Sequence, residues 1–125
     1  MSGHAERILE LPEPLRFSAW VCALKQDMPC AFPVKVRRVK LHRRRYGYSD
    51  LKKNGTERYF LIEINRDEHF RIQTDTLFHE WAHCRCWNHM HDAYPEHPEH
   101  GPEWGVAYAE LERWSHGEGE FGIHT

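Results

Sequence analysis

Residues 59–84, YFLIEINRDEHFRIQTDTLFHEWAHC, decide how the chain folds. In Tyr59–Ile64 the apolar side chains alternate, putting Phe60, Ile62 and Ile64 on one face, the period-two pattern of a strand against a core. Past Asp67 and Glu68 the period changes. Leu77, Phe78, Trp81 and Cys84 recur at helical spacing, which predicts a helix beginning near Thr76 and capped by Thr74 or Asp75.

Upstream, Lys53-Asn54-Gly55 is a turn signal, so the strand 59–64 has a partner before it, around Tyr46–Ser49. Val34, Val36, Val39 and Leu41 predict a further strand whose alternation slips once, as at a bulge. Pro14 can open a helix to about Met28, with Leu15, Ala19, Cys22 and Ala23 at helical spacing. Residues 1–12 read as a loose lead-in. Downstream, the prolines and glycine between His91 and Pro102 require a loop, and a last helix runs from Glu103 to about Ser115. The order predicts one α+β domain over residues 1–125. A short antiparallel sheet of about three strands packs on the helix near 76–84, flanked by N- and C-terminal helices.

Hydrophobic residues make up 40% and charged residues 29% of the chain, a globular rather than a disordered balance. No run reaches the roughly 18 apolar residues of a membrane span, and the N-terminus lacks the apolar stretch of a signal peptide, so a cytoplasmic location is expected. Cys22, Cys30, Cys84 and Cys86 lack the spacing of a disulfide framework or zinc ribbon and read as reduced thiols. Histidine is the informative excess: seven of the 11 fall between His79 and His116.

The segment His79-Glu80-Trp81-Ala82-His83 is H-E-x-x-H. Residues four apart on a helix lie within about 40° of each other around the axis, so both imidazoles can reach one ion. Glu80, beside the first ligand, can contact a water on that ion without ligating it, the position of a general base. A catalytic zinc takes a third protein ligand and keeps one position open. His89, six residues past His83, needs a helix break that Cys86 does not supply, and His91 and His97 have no pattern behind them. His100, before a glycine turn and the last helix, is permitted by geometry, while Glu110 or Glu112 would serve a site of two histidines and one glutamate.

H-E-x-x-H followed after a loop by His100-Gly101-Pro102-Glu103-Trp104 resembles the SprT-like (Spartan-type) zinc metallopeptidases over roughly residues 34–115. The resemblance implies a zincin-like domain holding one Zn2+ through His79, His83 and His100, with Glu80 as the catalytic base. It also implies an endopeptidase acting on protein, with DNA-associated proteins as one substrate class. The zinc ribbon that several members carry has no C-x-x-C pair to match it here. Two other readings stand beside this one: a peptidase that cleaves one dedicated protein such as a repressor, and a non-enzymatic binding module stapled by zinc. Glu80 separates the last from the others, because a structural site gains nothing from a carboxylate there.

Trp104 and Tyr108 follow His100 at spacings of four, and Tyr108 is a candidate stabiliser of a developing oxyanion. From Lys35 to Lys53 nine Lys or Arg face a single acid, Asp50, whereas residues 86–125 carry eight acids against Arg113. The basic stretch makes Arg37, Arg38, Arg43, Arg44 and Arg45 candidate nucleic-acid contacts, with Tyr46 and Tyr48 as stacking partners. A strand with one wet face accounts for the same charges.

Overall fold

The computed structural model describes residues 4–42, 45–87 and 102–117. Its elements are α1 (His4–Leu9), α2 (Glu13–Asp27), β1 (Val34–Val39), β2 (Gly47–Asn54), β3 (Glu57–Asn65), α3 (Phe70–Arg85) and α4 (Pro102–Ser115). The α+β architecture matches the sequence reading.

The sheet has three strands, as expected, but its pairing is mixed. β2 and β3 form an antiparallel hairpin in register from Gly47↔Ile64 to Asn54↔Glu57. β1 instead runs parallel to β3, from Val34↔Phe60 to Val39↔Asn65, so the expected antiparallel sheet is corrected for one of its two ladders. The order β1-β3-β2 supplies the reason. β3 is the most apolar strand, with Phe60, Ile62 and Ile64 fully buried and Leu61 nearly so on the other face. It therefore takes the centre, while the Lys- and Arg-bearing β1 and β2 take the edges, where charge discourages further pairing. The chain leaving β1 crosses to the far edge before returning, and the returning strand runs parallel to β1. At the hairpin tip Gly55 has φ of +69°, and among the described residues no non-glycine residue has positive φ, as a II′ turn with glycine at its first loop position requires.

α3 starts six residues earlier than the sequence suggests. Its cap is His69, whose ring Nδ1 accepts from the Arg71 amide at 3.1 Å, rather than Thr74 or Asp75. Gln73, Leu77, Glu80, Trp81 and Cys84 form its buried stripe, three or four residues apart. Trp81 is fully buried and its indole donates to the Met28 carbonyl at 2.8 Å, so the one polar atom of a large apolar side chain is satisfied. At the end of the helix Arg85 donates to the Pro29 carbonyl at 2.7 Å and to Glu110 at 2.8 Å, tying α3 to the connector before β1 and to α4.

α2 buries Phe17, Trp20 and Leu24, not the expected stripe. Leu15 and Cys22 turn to solvent because the opposite face offers two aromatic rings to the core. Trp20 meets Phe78 edge-on at 5.2 Å and Trp114 at 6.1 Å, joining α2, α3 and α4. The lead-in also departs from expectation: residues 4–9 are helical, and Ile8 is buried in the same core cluster as Trp114. No helix among the described residues is long and apolar enough to cross a membrane.

Candidate functional site

α3 lies across the sheet with Glu80 buried and His79 and His83 half-buried. The two imidazoles bring their Nε2 atoms to 3.3 Å, with ring centroids 5.0 Å apart. Two ring nitrogens cannot face each other this closely on lone pairs alone, so a proton or a cation must lie between them. The separation also suits a shared ion. At the ordinary Zn–N distance of about 2.0–2.1 Å, nitrogens so spaced subtend roughly 105–110°, close to tetrahedral.

Trp104 holds this pair from α4. Its indole donates to the His79 carbonyl at 3.1 Å, and its ring lies 4.9 Å from that of His79 and 5.7 Å from that of His83. Trp104 packs against the hydrophobic core and, from there, lies on both imidazoles. Tyr108, one turn later, stacks on Trp104 at 5.0 Å. Burial, then the Glu112 carboxylate, pushes the Tyr108 phenol up to about 12.

Beside the pair lies a cavity of about 560 Å³, bounded by His79 and Glu80 of α3, Tyr108 of α4, and Arg45, Tyr46 and Gly47 leading into β2. Asn65 shapes that lead-in. Its buried amide donates to the Arg45 carbonyl at 3.0 Å, and its backbone amide donates to the Tyr46 carbonyl at 2.8 Å.

Sequence reasoning missed Ser49. Its hydroxyl donates to Glu80 Oε1 at 2.7 Å, a bond between β2 and α3 across 31 positions of sequence. The only local signal is alternation, which sets Ser49 on the same face of β2 as Gly47 and Leu51.

His100, His89, His91 and His97 lie outside the described residues, as do Arg43 and Arg44. Among the described residues no group of three or more His, Cys, Asp or Glu gathers as a metal site. Glu110, an alternative ligand by sequence, is paired with Arg85, while Glu112 lies beside Tyr108. The described arginines of the basic stretch have partners within the chain. Arg37 and Tyr48 both bind the Glu63 carboxylate, Arg38 lies 4.6 Å over the Phe17 ring, and Arg45 lies 5.4 Å over Tyr48. The Tyr48 hydroxyl and then Arg37 hold Glu63 below the usual carboxylate range despite its burial. Burial raises the Cys84 and Cys86 thiols and takes Cys30 to about 12, which keeps all three protonated at neutral pH.

No family model matches the chain, and neither the curated proteins nor the solved structures contain a significant match to it.

Proposed function

We propose that this chain is a metal-dependent endopeptidase of the SprT-like kind, with zinc as the cation its imidazoles favour. The observation that carries the reading is the pair of facing His79 and His83 nitrogens, 3.3 Å apart, with the Glu80 carboxylate beside them on a cavity wall. His79 and His83 would hold the cation, and His100 is the third ligand that the family resemblance implies. When bound, zinc lowers the pKa of a coordinated water to about 7 and polarises the scissile carbonyl. Glu80 accepts a proton from the attacking water as the new C–O bond forms, and passes it to the amine nitrogen as the C–N bond breaks. Tyr108, whose phenol keeps its proton far above neutral pH and whose ring lines the cavity, would donate to the carbonyl oxygen as it gains charge, leaving Glu112 to do so. β2 is an edge strand beside the cavity, and its main-chain groups suit an extended peptide.

Glu80 also favours an enzyme over a zinc-stapled binding module. A structural site fills its positions with protein ligands, whereas Glu80 is held by Ser49 on the cavity wall. Replacing Glu80 with Gln should leave about one zinc per chain and lower cleavage of an unfolded protein such as casein by about 100-fold or more. Zinc content and proteolysis measured on the same preparation check this. Loss of zinc together with activity would contradict the role given to Glu80.

A further inference from the structure

The contact between β2 and α3 is closer than packing of a strand on a helix requires. Residues two apart on a strand, and four apart on a helix, point the same way. Gly47 and Ser49 therefore meet Thr76 and Glu80 as two matched pairs. At Gly47 the approach is so tight that a Cβ would sit 2.8 Å from Thr76 Cγ2 and 2.7 Å from the Glu63 carbonyl oxygen. Two residues on, the Ser49 hydroxyl reaches Glu80 Oε1 at 2.7 Å. Cys84, the next residue along that helix face, is also within reach of the Ser49 hydroxyl.

We propose that Ser49 is a positioning residue for Glu80, and that Gly47 is what lets β2 come close enough for it to act. This rests on the peptidase reading, because the orientation of Glu80 matters to catalysis only if Glu80 moves a proton. A glutamate has three side-chain torsions, and the last is soft. α3 fixes where the side chain begins but not which rotamer carries the carboxylate. A hydroxyl donating to Oε1 at the length of a charge-assisted bond selects one orientation and holds it before substrate arrives. The donor sits on the sheet, so the general base is oriented by a different element from the one that carries it.

The test compares Ser49→Thr with Ser49→Val, which share a shape and differ in the hydroxyl, with Ser49→Ala as a third variant. Peptidase kcat and KM are measured on zinc-loaded protein. The Glu80 side-chain rotamer is read separately in metal-free protein from three-bond NMR couplings. Val and Ala should lower kcat on the order of 10- to 100-fold with little change in KM, while Thr restores most of the rate. Glu80 should hold one rotamer in the wild type and Ser49→Thr, and average between rotamers in Ser49→Val and Ser49→Ala. Equal kcat in Thr and Val variants, or an unchanged single rotamer in Val and Ala, would overturn the proposal. If the wild type cleaves nothing, the peptidase reading fails. The couplings still decide the orienting contact, since averaging supports it and one fixed rotamer refutes it.

Discussion

Replacing Gly47 with Ala tests the joint between sheet and helix on which the site depends. The added Cβ would lie 2.7 Å from the Glu63 carbonyl oxygen, 2.8 Å from Thr76 Cγ2 and 3.1 Å from Ile64 Cδ1. Ordinary separations are about 3.3 Å for carbon to oxygen and about 3.5–4.0 Å between carbons, so each contact is short by a few tenths of an ångström or more. The Ile64 methyl can move, but the Glu63 oxygen is fixed in the central strand. Thr76 cannot turn its methyl away cheaply either, because its hydroxyl donates to the Ile72 carbonyl at 2.7 Å. Overpacking against such neighbours costs about 2–3 kcal/mol, the upper part of the usual range. Equilibrium urea unfolding should show that loss as a lower midpoint with an unchanged slope. Gly105→Ala is the control, since a Cβ there meets nothing within 4 Å and alanine is the better helix former by about 0.5–1 kcal/mol. A Gly47→Ala protein within about 0.5 kcal/mol of the wild type would refute the close-approach argument.

Two further predictions concern titration. Glu63 has a folded pKa below its unfolded value because the Tyr48 hydroxyl and Arg37 hold its charged form. The unfolded chain therefore binds the extra proton, and this stabilisation is complete above the unfolded pKa of about 4.3 and is lost as pH falls through the folded value. Tyr48→Phe should flatten the fall in stability as pH drops below the unfolded pKa of about 4.3, and an unchanged profile would remove Tyr48 as the main cause. Tyr108, raised to about 12, should be the tyrosine missing when the alkaline absorbance titration of Tyr108→Phe is compared with that of the wild type. Its contribution to stability is full below the unfolded pKa of about 10 and is lost as pH climbs through the folded value; Glu112→Gln should move that titration down. A Tyr108 that titrates near 10 would show that its ring is not buried as described.

How much was legible in the sequence follows from the range of each signal. The strand 59–64 and the apolar positions of α3 were readable because their patterns repeat within a few residues. The start of α3 was not, since its cap is an imidazole, outside the usual set of capping side chains. α2 offers two competing stripes by spacing alone, Leu15, Ala19, Cys22 and Ala23 against Phe17, Trp20 and Leu24, and the larger rings decide for the second. The parallel pairing of β1 was hidden because strand order depends on which strand most needs the centre, a comparison across the whole sheet. At the site, His79, Glu80 and His83 lie within one helical turn and could be found by spacing alone. Ser49, and the seating of Trp104 on both imidazoles, exist only through contacts distant in sequence. Arg37, Arg38 and Arg45 read as free cations in sequence because Glu63, Phe17 and Tyr48 become their partners only in the fold.

Metal content by elemental analysis of dialysed, zinc-exposed protein tests the central claim most directly. The wild type and His89→Ala should each retain about one zinc per chain, and His79→Ala, His83→Ala and His100→Ala should each lose most of it, because a catalytic zinc takes three protein ligands. A wild type that holds no zinc, or a His100→Ala that keeps it while His89→Ala does not, would contradict the account.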